Sequence, residues 1–335
     1  MRTNRIKWIA VGLGLLVVFA LASGCGQQNE GAAAPQASAT DSQTAAESGS
    51  SAATRLFTDA TGREVEIPVN PQRVVTTQYL DAMLALGVKP LGAPSHVLNN
   101  LYLGELQDGV VDLGSPFNVE KVLELDPDLI LSANPDEVEA LSKIAPTVVV
   151  PWLFGDVYDQ LREIARVLNK EKEADDWIAG LEAKASAGRS ALAGKIGQDE
   201  TVSIFMAYGK DALRVYGARN IGHMIYRLLQ LTPPPFIQQK LADDPGYESF
   251  VYENISMEKL PEMAGNRIVM LVYDQAAKDD GGMFNQIERS ALWKNLDAVK
   301  NNRVYDINPD PWFTYAPIAI EKSLDEAITM FTGGQ

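Results

Sequence analysis

The chain has 335 residues, of which 44 are acidic and 29 basic, so its formal charge is −15 at neutral pH. This acidic excess argues against nucleic acid as a partner, because phosphates require Lys and Arg, and against electrostatic attachment to anionic lipid. The length allows about two domains of ordinary size.

The amino terminus has the pattern of a secretory signal peptide. Arg2, Arg5 and Lys7 precede an apolar run over residues 8–22. That run is shorter than the ~20 residues needed to span a bilayer. A basic start, a short apolar stretch and small residues before a break are typical of a cleaved secretory signal.

Cys25 follows this segment and is the only cysteine in the chain, so it cannot form an internal disulfide. The sequence around it resembles a bacterial lipobox, with Leu21 standing one place further from the cysteine than usual. The resemblance implies that residues 1–25 are a lipoprotein signal and that Cys25 carries lipid on the extracytoplasmic face of the cell membrane. A plain secretory signal with an incidental cysteine is the alternative.

Residues 26–54 contain no Val, Ile, Leu, Met or aromatic side chain. Such a segment cannot bury enough apolar surface to offset its conformational entropy. It is predicted to be a disordered tether that holds the folded body away from the membrane.

The remainder alternates short apolar runs with helical patterns, which predicts α/β units with mainly parallel sheets. The first predicted lobe covers residues 55–153 and the second covers residues 196–335. The predicted strands are residues 73–77, 90–93, 129–133, 147–151, 202–207, 267–273 and 303–307.

A helical pattern fills residues 154–195, with a possible break at Asn169. Apolar residues recur there at the spacing of one helix face. The second piece, from about residue 171, would be ~37 Å long. The predicted fold is therefore α/β, with two Rossmann-like lobes joined by one long backbone helix.

A pseudo-repeat links the two lobes. Residues 118–123 read Asn-Val-Glu-Lys-Val-Leu, and residues 256–261 read Ser-Met-Glu-Lys-Leu-Pro. Each begins with a good helix N-cap residue and carries an acid two places later, Glu120 or Glu258. A single occurrence would indicate only an acid that complements the helix dipole. Two equivalent occurrences favour a shared surface role.

Five segments, in order, resemble the helical-backbone class of binding proteins for siderophores, cobalamin and haem. They are residues 59–75, 86–92, 118–130, 255–268 and 292–305. The resemblance implies an extracytoplasmic, monomeric ligand-binding component of an ABC importer, with its ligand held between two lobes. It also implies that Glu120 and Glu258 dock on basic residues of the membrane permease.

Loops at the carboxyl ends of the predicted strands should line that cleft. Basic residues occur in these loops only in the second lobe, which favours a hydroxamate or citrate–hydroxamate siderophore over a highly charged tris-catecholate. The candidate ligand-binding residues are Tyr79, His96, Trp152, Arg214, Tyr216, Arg219, Tyr273, Trp312 and Tyr315.

Other functions stay open at this point. Two histidines without a cluster argue against a zinc or manganese site. Haem could be ligated by His223 with Met83, and cobalamin is a further ligand of the same class. An enzyme is a further alternative, although the sequence contains no nucleophile elbow, P-loop or zinc-hydrolase motif. A structural surface lipoprotein is the third option. We expect no cofactor, with iron bound only inside its siderophore.

Overall fold

The computed structural model describes residues 53–247 and 249–333. The predicted signal peptide, Cys25 and the tether as far as residue 52 lie outside the described residues. The folded body, Ser51–Gln335, forms one compact unit. No helix of the described residues is both long and apolar enough to cross a bilayer.

The first lobe opens with an antiparallel hairpin and continues as a five-stranded parallel sheet. The hairpin begins at Thr54, inside the predicted tether. The sheet order is β5-β4-β3-β6-β7. The elements are β1 (Thr54–Thr58), β2 (Glu64–Pro68), β3 (Val74–Thr76), α1 (Leu80–Ala85), β4 (Gly92–Ala93), α2 (Ser95–Leu98), β5 (Val111–Asp112), α3 (Val119–Glu124), β6 (Leu129–Ser132), α4 (Val138–Leu141) and β7 (Thr147–Val149).

Two helices lead from the first lobe to the second. The first, α5 (Val157–Leu168), starts with a capping box of Asp156 and Asp159 and ends at Asn169 in the left-handed conformation. The second, α6 (Glu171–Leu192), has 22 residues and is ~33 Å long. It ends somewhat before the predicted residue 195. The break at Asn169 and the long helix after it are as predicted.

The second lobe is built on a mixed five-stranded sheet with the order β10-β9-β8-β11-β12. Within it β9 is antiparallel to both of its neighbours. The elements are β8 (Val202–Tyr208), β9 (Ala212–Tyr216), a π-helical turn (His223–Leu228), α7 (Pro235–Ala242), β10 (Tyr252–Ile255), α8 (Leu260–Met263), β11 (Arg267–Val272), α9 (Gln275–Lys278), α10 (Met283–Arg289), α11 (Ala291–Lys294), α12 (Asp297–Lys300), β12 (Val304–Ile307), α13 (Pro309–Trp312) and α14 (Pro317–Thr332).

The two sheets share one strand order, so the predicted α/β fold with two lobes is confirmed. The sequence did not predict that α14 forms a second link between the lobes. Its backbone N–H groups at Ile318 and Ala319 donate to Asp81 of α1 at 2.7 and 3.2 Å. Further along, Gly188 of α6 allows close approach, because a Cβ there would lie 2.5 Å from Ile328 of α14.

Asp59 holds the β1–β2 hairpin onto the edge of the first sheet. Its carboxylate accepts from Thr61, from the Arg63 guanidinium at 2.6 Å and from the backbone N–H of Val149 in β7 at 3.2 Å. Burial alone would raise the pKa of Asp59, but these hydrogen bonds outweigh it and lower the pKa below its ordinary value.

We expect Asp59→Asn to lower the free energy of unfolding by about 1.5–3 kcal/mol at neutral pH, because the charged hydrogen bond between the buried carboxylate and the partly exposed Arg63 is lost. A carboxyl whose pKa is lowered on folding stabilises the fold at pH values above its pKa in the unfolded state, which is near 4. It loses that effect as the pH falls through its pKa in the folded state. The difference from wild type should therefore shrink below about pH 4 in urea unfolding. Asp136→Asn, at an exposed carboxylate, is the control. Equal stability of both variants would contradict this role.

Candidate functional site

A cleft of about 560 Å³ lies at the carboxyl ends of the strands of both sheets. Its walls are the loops that follow β3, β4 and β7 in the first lobe and β11 and β12 in the second, with contributions from α5 and from Asn220 after β9. Parallel strands bring their carboxyl ends to one edge, so loops distant in sequence converge there. The volume is that of an ordinary small-molecule site.

In the first lobe the structure brings Tyr79, His96 and Trp152 to the cleft wall. Tyr79 is buried, and its hydroxyl donates to the carbonyl of Val150. His96 is exposed, and its Nε2 lies 2.9 Å from Oε1 of Gln78. Trp152 follows β7 with half of its side chain exposed.

In the second lobe Tyr273, Phe313 and Tyr315 form an aromatic wall. The rings of Tyr273 and Phe313 meet edge to face at 5.6 Å. The candidate set omitted Phe313, although it lies in the same proline-marked loop as Tyr315. Burial raises the pKa of Tyr315 to about 12, so its hydroxyl keeps its proton.

A recess of about 240 Å³ shares Tyr273 and Phe313 with the cleft and adds Tyr208 and Arg214. The guanidinium of Arg214 lies 4.4 Å from the ring centre of Tyr252 and 5.5 Å from that of Tyr208. This arrangement leaves one aromatic-flanked cation at one end of the site.

Three candidates do not line either cavity. Tyr216 is fully buried, because β9 is a strand and not the loop that the sequence suggested. Trp312 is 4% exposed, and its indole Nε1 donates to Glu326 at 2.5 Å. Arg219 is 5% exposed and donates to the carbonyl of Gly155 at 2.9 Å. Tyr216 packs against Phe313 and Arg219 against Tyr315, so these two side chains support the cleft wall from behind.

Behind Tyr315 lies a group of buried polar side chains, of which only Arg219 was among the candidate ligand-binding residues. The guanidinium of Arg219 sits 4.5 Å from the Tyr315 ring centre, and Nδ1 of His223 lies 3.2 Å from the Tyr315 hydroxyl. Arg227 forms an ion pair with Asp156 at the start of α5. Such contacts between residues far apart in sequence leave no local pattern from which to predict them.

Charge is sparse in the larger cleft. Among the described residues that line it, Asp81 and Asp310 are acidic and none is Lys or Arg. The polar lining is mainly amide side chains, which can donate and accept hydrogen bonds without a net charge. These residues are Gln78, Asn99, Asn100, Gln160 and Asn220.

Within the described residues, no group of three or more His, Cys, Asp or Glu is arranged to hold a metal ion. The pair considered for haem is also badly placed. Met83 and His223 are both fully buried, and neither lines the cleft.

Glu120 and Glu258 are exposed and occupy equivalent places in the two lobes. Each follows the edge strand at the same end of its sheet, β5 or β10, and precedes the fourth strand of the sheet order, β6 or β11. The N-cap side chain of Asn118 accepts from the Glu120 N–H at 2.7 Å. A hydrogen bond from Ser256 lowers the pKa of Glu258 and keeps it ionised.

Comparisons with known proteins agree with this architecture. The iron(3+)-hydroxamate-binding protein FhuD of Bacillus subtilis is 36% identical over 319 residues, covering 93% of each chain. YxeB, another iron(3+)-hydroxamate-binding protein of Bacillus subtilis, is 34% identical and covers 78% of this chain and 80% of its own. A FhuD-fold periplasmic binding protein component of a ferrichrome ABC transporter from Bacillus subtilis superposes with a TM-score of 0.72. It is 34% identical and covers 82% of this chain and 99% of its own.

The sequence model of the periplasmic binding protein family matches residues 74–311, from β3 to α13. That span contains both sheets, the two connecting helices and most of the cleft wall. With this match over more than half of its length, and with relatives above 30% identity along nearly all of it, the chain belongs to the periplasmic binding protein family.

Proposed function

We propose that this chain is the substrate-binding component of an ABC importer and that its cleft captures a ferric hydroxamate siderophore. The observation that carries the proposal is the cleft lining of aromatic rings and amides. Among the described residues, it contains no Lys or Arg, and the adjoining recess adds one cation, Arg214. A ferric hydroxamate has low charge and already supplies the iron ligands. It needs apolar surface and hydrogen bonds from the protein, and no resident cofactor.

The ligand contacts in this proposal come from both lobes. Aromatic surface comes from Trp152 in one wall and from Tyr273, Phe313 and Tyr315 in the other, with Tyr79 and His96 beside them. Arg214 can donate to a ligand oxygen at the recess. The names of FhuD and YxeB, both hydroxamate-binding, support the same ligand class. A citrate–hydroxamate would place its carboxylate at Arg214.

We expect purified protein to bind ferrioxamine B, a ferric trihydroxamate, with a dissociation constant at or below about 1 μM. A ferric tris-catecholate should bind at least about tenfold more weakly, because the larger cleft offers no cation to its high charge. Intrinsic fluorescence titration measures both, with haem and cobalamin titrated alongside as competing ligands. The recovered ligand should be chemically unchanged. Tighter binding of the catecholate, of haem or of cobalamin would reject the hydroxamate assignment.

The second part of the proposal concerns delivery to the permease. Glu120 and Glu258 stand on equivalent exposed positions of the two lobes, where they can meet basic residues of a membrane partner. The protein acts in this proposal as a monomer. Attraction between exposed charges falls off within ~8–10 Å at physiological salt, so docking requires close approach.

The double variant Glu120→Ala/Glu258→Ala should bind ferrioxamine B as wild type does but support much slower siderophore-dependent uptake in cells. Each single variant should show a smaller defect, because one charged contact remains. Glu124→Ala/Glu288→Ala removes two other exposed acids from the same lobes and serves as the matched control. Full uptake by the first double variant would show that these acids act only at the start of their helices. Loss of ligand binding would show instead that they take part in ligand binding.

The third part of the proposal is attachment through lipid on Cys25, at the extracytoplasmic face of the cell membrane. We expect Cys25→Ser to move the processed protein from the membrane fraction to the soluble fraction. Ser23→Ala, two residues earlier, keeps the thiol and should leave the protein in the membrane fraction. Immunoblots of the two fractions measure the difference. Retention of processed Cys25→Ser protein in the membrane fraction would contradict lipid attachment at this residue.

A further inference from the structure

His223 occupies an unusual position behind the aromatic wall of the cleft. The side chain is fully buried, and its Nδ1 lies 3.2 Å from the hydroxyl of Tyr315. Its Nε2 has no hydrogen-bond partner among the described residues. A buried polar atom without a partner is destabilising and is uncommon in native proteins. A purely structural position would be better filled by an apolar ring.

The direction of the hydrogen bond follows from its surroundings. The backbone N–H of Val157 donates to the Tyr315 hydroxyl at 3.2 Å, so the oxygen already accepts one bond and its own proton needs an acceptor. Burial, with a smaller contribution from Arg227, lowers the pKa of His223 to about 3 and keeps the ring neutral. A neutral ring can accept a hydrogen bond from the Tyr315 hydroxyl at Nδ1 and carry its own proton on Nε2.

The backbone around His223 is also irregular. Asn220 has a φ of +52°, which is uncommon for a residue other than glycine. Its side-chain amide donates to the carbonyl of Phe313 at 2.5 Å. Gly222 has no room for a side chain, because a Cβ would lie 1.5 Å from the carbonyl oxygen of Gly217. A π-helical turn begins at His223, and such turns are frequent at functional sites.

These features converge on one loop. Asn220 holds the backbone of Phe313 and His223 holds the hydroxyl of Tyr315, and both aromatic residues line the cleft. We propose that His223 is a positioning residue for ligand binding, which accepts a hydrogen bond from the Tyr315 hydroxyl and so fixes the aromatic wall in the arrangement that fits the ligand. The inference rests on the proposed function and adds a residue that does not itself touch the ligand.

Two substitutions of His223 separate positioning from packing. His223→Phe keeps a ring of similar size and removes the unpartnered Nε2, but it offers no acceptor to Tyr315. Its thermal midpoint should stay close to that of wild type, while ferrioxamine B should bind about three- to tenfold more weakly. His223→Asn keeps an acceptor near the position of Nδ1 and loses the ring. Its thermal midpoint should fall, while its affinity should stay within about twofold of wild type.

Tyr315→Phe tests the same hydrogen bond from the other side and does not depend on how variants of residue 223 fold. It should weaken ferrioxamine B binding at least as much as His223→Phe does, because it also removes the acceptor of the Val157 N–H. The double variant should bind no more weakly than Tyr315→Phe alone, because both lack the bond between residues 223 and 315.

The outcomes are separable by calorimetric titration of each variant. Failure of the wild-type protein to bind any ferric siderophore would overturn the proposed function, and this inference with it. Wild-type binding that is matched by His223→Phe and Tyr315→Phe would overturn the inference alone. Additive losses in the double variant, or an affinity that follows the thermal midpoint across the series, would also overturn it.

Discussion

Asp156 caps the first turn of α5 and at the same time pairs with Arg227 of the second lobe. Both groups are largely withdrawn from water. An unpaired charge in such a place would be destabilising, so each group requires the other. Two more hydrogen bonds join this region to the second lobe. Arg219 donates to the carbonyl of Gly155, and the Val157 N–H donates to the Tyr315 hydroxyl. The relative placement of the two cleft walls depends on this junction, because the helices beyond it follow from the direction in which α5 starts.

The charge of the cleft lining depends on which basic side chains are engaged in contacts at the lobe junction. Arg219 and Arg227 were available as cations near the ligand, but one covers the back of Tyr315 and the other neutralises Asp156. Among the described residues, the larger cleft is therefore lined by aromatic rings and amides without a guanidinium, and the adjoining recess adds that of Arg214. A cleft of this kind discriminates against ligands of high charge, since their desolvation would not be compensated. The proposed preference for a low-charge complex would thus have a structural cause in the lobe junction.

Local pattern was enough to predict seven strands of the two sheets and the long helix, because buried parallel strands and amphipathic helices have strong periodic signals. It failed for β5, β9 and β10, which lie on the corresponding side of the two sheets. The segment before β9 is rich in turn residues, so Arg214 and Tyr216 were assigned to a loop. Trp312 was misplaced for another reason: its indole turns inward to Glu326, which depends on the packing of α14 and not on the proline-marked sequence. Contacts such as His223 with Tyr315 join residues 92 positions apart and require the folded structure.

The two sheets have the same strand order but differ in the direction of one strand, β9, and this difference accounts for the placement of Arg214 in the second lobe. In the first sheet all strands are parallel, so each crossover consumes a helix or loop on the sheet face. In the second sheet β8 turns directly into the antiparallel β9, which places Arg214 opposite Met206 and beside Asn254 of β10. The hairpin brings Tyr208 and Tyr252 to either side of that guanidinium at no cost in chain length. A parallel connection could not place these three side chains so near the carboxyl edge. The pseudo-symmetric fold therefore holds equivalent acids on its two outer surfaces, while the reversal of a single strand makes its ligand site asymmetric.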